Sequence, residues 1–125
     1  MNISSTRANQ SQPDTEAYSA AKGGINALTH AMAVSLAGKV RVNAISPAWI
    51  DQRASGGNIC EISELSEQDH RQHPSVRVGT PSDIAELVLY LCSDKAGFIN
   101  GENITVDGGM SKLMIYHDDC GWKLT

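Results

Sequence analysis

Tyr18 and Lys22 stand four residues apart in a stretch rich in alanine and free of proline. On a helix that spacing puts both side chains on one face, one turn apart, leaning toward the helix N-terminus. A lysine ammonium beside a phenol favours the phenolate, moving a tyrosine from its reference pKa of ~10 toward the range where it exchanges a proton efficiently with a carbonyl oxygen. A tyrosine and a lysine at this spacing also occur on many helix surfaces where they do nothing but face water. Ser5, thirteen positions before Tyr18, adds a third group. It follows an apolar-to-small stretch, and the loops that leave strand ends line the ligand crevice of open α/β sheets. A hydroxyl there can hydrogen-bond a substrate oxygen.

The remaining reactive residue types read more plainly. Gly23-Gly24 falls inside the expected helix and Gly108-Gly109 follows an expected strand, so neither pair has the strand–turn–helix setting of a phosphate-cradling loop. Close packing and chain turning account for them. His117, Asp118, Asp119 and Cys120 cluster near the C-terminus, but adjacent residues point in different directions and no second ligand pair accompanies them, so no metal site is assigned. Cys60, Cys92 and Cys120 cannot all pair with one another and are expected to be reduced thiols. Trp49 and Trp122 are read as partly buried structural residues, and His30 as a surface or interface residue of the long helix.

The elements that must hold Ser5, Tyr18 and Lys22 follow from periodicity and punctuation. Residues 1–5 read as the end of a strand, and the turn formers of TRANQSQPDT as a loop closing on Asp14 or Thr15 as helix N-cap. A helix is expected over Ala17 to Ala37, with Ile25, Leu28, Met32 and Leu36 on its apolar face and Gly38 as its C-cap. Val40 to Ile45 reads as a buried strand of about six residues stopped by Ser46-Pro47. Residues 51–76 are polar and acidic, with Ile62 and Leu65 as apolar anchors, and read as a mobile insertion carrying one short helix. Thr80-Pro81-Ser82-Asp83 starts a helix whose buried stripe is Ile84, Leu87, Val88 and Leu91. Asn103 to Val106 forms the last strand, ended by Asp107-Gly108-Gly109. The order is that of an α/β fold with a parallel sheet and right-handed crossovers. About three strands with flanking helices are few for a doubly wound sheet, which suggests a missing half and leaves the first strand as an open edge.

Composition narrows the partners. The chain has 125 residues, 41% hydrophobic and 19% charged, which is ordinary for a globular domain. A net charge of -4 with scattered basic residues leaves no face for nucleic acid. No apolar run reaches the ~18 residues of a membrane span, and the N-terminus lacks a basic, then apolar, leader, so a cytoplasmic location without membrane association is expected.

Five segments in order resemble the classical short-chain dehydrogenase/reductase family: NISS, YSAAKGGINALTHAMAVSLA, VRVNAISPAWID, RVGTPSDIAELVLYLCSD and FINGENITVDGGM. The resemblance covers about residues 1–110, leaving 111–125 as a tail, and implies the C-terminal half of a Rossmann-like domain with 51–76 as the substrate lid. It implies NAD- or NADP-dependent interconversion of an alcohol and a ketone. It further implies Tyr18 as proton donor or acceptor, Lys22 as its electrostatic partner and ribose contact, and Ser5, rather than Ser4, as the group that orients the substrate oxygen. Tyr18, Lys22, Pro47, Ala48 and Ile50 would meet the nicotinamide side of the cofactor.

The chain departs from the family's pattern in two ways. Pro47-Ala48 replaces the usual Pro-Gly, and Gln52 stands near where a threonine often meets the cofactor phosphates. The glycine-rich turn, the adenosine selector and the Asn-Ala-Gly segment of the family are missing altogether, so the N-terminal dinucleotide-binding half is absent from these residues. A whole protein of roughly 250 residues is the expectation, with the 125-residue chain inactive and not binding the cofactor tightly by itself. A catalytically silent module that self-associates is the competing reading. Homo-oligomers through the 15–37 helix and the exposed 1–5 edge are expected in either case.

Overall fold

The computed structural model describes residues 1–53, 64–114 and 116. Three strands, β1 (Asn2–Ile3), β2 (Ala44–Pro47) and β3 (Asn103–Val106), form a parallel sheet in that order. Three helices connect and follow them: α1 (Glu16–Ser35), α2 (Glu67–Arg71) and α3 (Pro81–Cys92). Single 3-10 turns at Thr6–Ala8, Asp94–Ala96 and Met110–Lys112 complete the architecture.

Register assigns each face of the sheet to a helix. Asn2 pairs with Ala44, and Ile3 with Ile45 and through it with Ile104. Asn2 and Ser4 lie on one face and bond to α1, through Asn2 Nδ2 to Thr29 Oγ1 at 2.9 Å and Ser4 Oγ to the Lys22 carbonyl at 2.9 Å. Ile45, one residue out of phase, packs on the other face against Leu91 and Ala96, with Ile84, Leu87, Val88, Ile99, Ile104 and Val106 around them. The α3 stripe read from the sequence is therefore the one that builds this core. Polar groups buried in the sheet are satisfied: Asn43 bridges the Ile99 carbonyl and the Glu102 N–H, and Ser46 donates to Asn103 Oδ1 at 2.7 Å.

Several expectations shift in detail. The helix spans Glu16–Ser35 with Thr15 as N-cap and Leu36 as C-cap; Gly38, at φ 75, makes the turn two residues later. Its most buried residues are Thr29 and Ala33, whereas Leu28 is 53% exposed. The small side chains face the sheet because α1 passes close to β3's approach: a Cβ at Gly101, held at φ 80, would sit 3.4 Å from Ala33 Cβ. β2 has four residues rather than six, because Arg41 turns away to the end of α3 and the Val42 N–H bonds the Asn100 side chain. Within 51–76, α2 is the short helix and starts at Ser66, whose hydroxyl accepts from the Asp69 N–H while Asp69 accepts from the Ser66 N–H. Gly56, Gly57, Cys60 and Ile62 lie outside the described residues, as do His117 to Cys120 and Trp122.

The start of α3 is fixed as the sequence indicates. The Thr80 N–H and hydroxyl both donate to Asp83 Oδ2, and Arg77 grips the same carboxylate with two bonds of 2.7 Å. Arg77, reinforced by the Thr80 N–H, holds the Asp83 carboxyl well below the usual carboxylate range.

Val76 is strained. Its φ of 55 lies in the left-handed region, which a β-branched side chain tolerates poorly, and it is largely exposed. Left-handed geometry costs an L-residue about 1–2 kcal/mol, of which glycine's larger unfolded-state entropy takes back part. Val76→Gly is expected to stabilise the chain by about 1 kcal/mol and raise its melting temperature by roughly 4 °C. An unchanged or lower midpoint in a thermal melt would show that this strain is already relieved elsewhere.

Candidate active site

Ser5 ends the first strand in extended conformation and caps the turn at Thr6–Ala8, its Oγ accepting from the Arg7 N–H at 3.2 Å. It is buried, yet it lines a cleft of 910 Å3 at the carboxyl end of the sheet. Ser4 is directed elsewhere, because its hydroxyl donates to the Lys22 carbonyl and pins α1 to β1. One hydroxyl thus holds the scaffold and its neighbour reaches the cleft.

Tyr18 enters the same cleft from the first turn of α1 and is 45% exposed. Its phenol oxygen has no hydrogen-bond partner among the described residues, so it is available to a ligand. Two cations flank its ring, with Lys22 Nζ and the Arg7 guanidinium carbon each 5.7 Å from the centroid. Lys22 stands beside Tyr18 rather than on the cleft wall. Its ammonium donates at 3.2 Å to the Ile3 carbonyl. That carbonyl points away from β2, since the N–H groups of Asn2 and Ser4 are the ones that bond it.

The third wall comes from the end of β2. Ala48 lines the cleft of Ser5 and Tyr18, and its N–H bonds the Val106 carbonyl at 3.1 Å. Pro47 lies behind, as the last residue of β2. Ile50 is turned to the other side of Trp49, where it pairs with Gly79; a Cβ on Gly79 would approach Ile50 Cδ1 to 2.5 Å. There it lines a second, smaller cleft of 220 Å3 with Trp49, His73, Arg77 and Asp83. Trp49 is the partition between the two. Of the residues singled out from sequence, Ser5, Tyr18 and Ala48 share one cleft, Lys22 adjoins it, and Pro47 and Ile50 stand off it.

Sequence reasoning missed Arg7, Gln72 and Met110, all of which line the large cleft. The position of Arg7 just past the Ser5 cap was a local signal. Gln72 and Met110 come from segments far along the chain and carried none. Asp107, in the turn after β3, is partly buried, which opposes ionisation. The hydrogen bonds it accepts from the Ser111 and Gly109 N–H groups outweigh that and keep its carboxyl below the usual range. His73 is 2% exposed, and neither ring nitrogen has a hydrogen-bond partner among the described residues.

The structure also tests how much of a dinucleotide these residues fit. An open hydroxyl, phenol and backbone wall suit the nicotinamide end. Among the described residues nothing matches the phosphates: Gly23 and Gly24 lie within α1, and a Cβ on Gly109 would already meet Pro74 at 3.1 Å. Among the described residues no three His, Cys, Asp or Glu side chains are grouped to hold a metal, and no helix is long and apolar enough to cross a membrane.

Comparison with known proteins bears on the family and the fold. The family profile described as enoyl-(acyl carrier protein) reductase matches residues 1–111. An uncharacterized oxidoreductase of Thermotoga maritima is 53% identical over 121 residues, covering 94% of this chain and 47% of the relative. The 2-(S)-hydroxypropyl-CoM dehydrogenase 3 of Xanthobacter autotrophicus is 41% identical over 105 residues, covering 81% and 41%. Among solved structures, an apo SCOR enzyme from Clostridium thermocellum superposes with a TM-score of 0.83 at 52% identity, covering 99% of this chain and 46% of that one. The chain belongs to the short-chain dehydrogenase/reductase family of oxidoreductases. It spans about half the length of the curated relatives it matches, and its three-stranded parallel sheet is the corresponding part of a Rossmann-like fold.

Proposed function

We propose that these residues are the proton-transfer half of an NAD(P)-dependent enzyme that interconverts an alcohol and a ketone, and that a dinucleotide-binding half must join them before turnover. The observation that carries this reading is the meeting of Ser5, Tyr18 and Ala48 in one cleft, with Lys22 beside the phenol. When bound, NAD(P)H would supply the hydride for ketone reduction and NAD(P)+ would take it up in alcohol oxidation. Tyr18 gives or takes the proton at the substrate oxygen. Ser5 already accepts the Arg7 N–H on its oxygen, which leaves its own hydrogen to donate to that substrate oxygen and stabilise charge as it develops. Lys22 supplies the neighbouring positive charge and reaches the nicotinamide ribose, while Ala48, on the cleft wall, edges the nicotinamide ring. This reading puts the protein in the cytoplasm, beside the soluble nicotinamide pool.

The experiment is a pair of measurements. The 125-residue chain is titrated with NADH and NADPH by fluorescence, and the same titration is repeated after fusing it behind the first half of the Thermotoga maritima relative. Expected are no saturable binding by the chain and micromolar binding with alcohol oxidation or ketone reduction by the fusion. A correctly folded fusion that binds NADH or NADPH but turns over neither alcohols nor ketones would overturn the enzyme reading.

A second reading, a catalytically silent module that pairs with a copy of itself, is favoured by the outward-facing edge of β1 and by Val34, 77% exposed on α1. A helix-paired dimer through α1 is its specific form. A single 13.4 kDa species in light scattering would eliminate it.

A further inference from the structure

The Val78 N–H donates to Nδ1 of His70 at 3.2 Å. That bond requires Nδ1 to be unprotonated, because an imidazolium has two N–H donors and no acceptor. Val78 is buried, so its N–H has no ready substitute partner in water. The bond therefore joins α2 to the segment that pairs with the end of β2, where the Gly79 N–H bonds the Trp49 carbonyl and the Asp51 N–H bonds the Gly79 carbonyl. Gln72, which closes α2, lines the Tyr18 cleft.

Two carboxylates lie near enough to act on a charged ring. Asp51, from the loop after β2, and Asp69, on α2 itself, both act electrostatically on His70. Both stay ionised, Asp51 held low by Arg53 and Asp69 by the hydrogen bonds from Ser66. Arg77, next to Val78, is neutralised by Asp83, and Arg71 by Glu67 on the exposed side of α2. The His73 N–H bonds the His70 carbonyl, and its ring nitrogens have no hydrogen-bond partner among the described residues. The Val78 N–H thus requires the neutral ring, and protonation turns its acceptor into a second donor.

We propose that the His70–Val78 hydrogen bond is a proton-operated latch on α2, closed while the imidazole is neutral and opened when it is protonated, because the imidazolium can no longer accept the Val78 N–H. Opening frees the segment bearing Gln72 and so widens the approach to Tyr18. The device concerns α2 alone and does not depend on the enzyme reading.

Amide hydrogen exchange of the 125-residue chain, followed by NMR from about pH 8 to about pH 5 and corrected for intrinsic rates, tests it. The protection of Val78 is expected to fall about tenfold on acidification while that of Ile45 in β2 holds. His70→Asn, whose amide oxygen can accept the bond but does not titrate, is expected to keep Val78 protected throughout, and His70→Phe to leave it unprotected throughout. Val78 protection that ignores pH in the wild type, or that still falls in His70→Asn, overturns the latch. Should the whole chain unfold on acidification, the 15N shifts of His70 at pH ~8 decide instead: an Nε2-protonated ring with Nδ1 accepting supports the latch, and the opposite tautomer removes it.

Discussion

Tyr18→Phe, in the chain fused to a dinucleotide-binding half, is expected to lower kcat by about 10²–10⁴-fold, the range that a positioned general acid or base contributes. It is expected to leave cofactor affinity and melting temperature unchanged. The structure separates these effects cleanly. The phenol oxygen has no hydrogen-bond partner among the described residues and the ring is half exposed, so losing the hydroxyl strands no buried group. The ring that remains keeps its place between Arg7 and Lys22. Ser5→Ala is a less clean probe, because it also removes the cap on the Thr6–Ala8 turn. Full turnover in Tyr18→Phe would remove Tyr18 from the chemistry and, with it, the basis of the proposed reaction.

Arg41→Ala is expected to destabilise the chain by about 3 kcal/mol, since a charged donor to several carbonyls contributes more than a neutral one and its loss leaves acceptors unpaired. Arg41 Nη1 donates to the Leu91 carbonyl at 2.8 Å and the Ile99 carbonyl at 3.4 Å, and Nη2 to the Ser93 carbonyl at 3.0 Å. Two of these belong to the end of α3, where backbone acceptors lack intrahelical partners and the helix dipole is negative. The same side chain thereby ties the approach to β2, the end of α3 and the loop entering β3. Arg41→Lys should recover only part of the loss, because a single ammonium cannot reproduce the guanidinium fork. Urea denaturation measures both. An Arg41→Ala stability within about 0.5 kcal/mol of wild type would show that water replaces the guanidinium without penalty.

Much of the site was legible before any coordinates. Tyr18 and Lys22 are neighbours because helix geometry alone sets the distance between residues four apart. The start of α3 is written in Thr80, Pro81 and Asp83, each acting within a few residues of the others, and β3 occupies the four residues that its β-branched run marks out. The parallel α/β class follows from the order of these elements. The buried face of α1 was less legible, because only the close approach of Gly101 shows that Ala33 and Thr29, rather than Leu28, face the sheet.

The amino-acid sequence by itself determined the elements, the α/β class, the Tyr18–Lys22 pair and the family. Tertiary structure alone decided that the Ser4 hydroxyl pins α1 to β1, that Arg7 joins Lys22 beside the phenol, that Trp49 divides the end of β2 between two clefts, and that Arg41 closes α3 from fifty residues away. The division has one physical cause. Backbone geometry fixes distances within a few residues, whereas the direction of a side chain toward a distant segment depends on which faces pack and how closely, and that is settled only when the sheet and its helices meet.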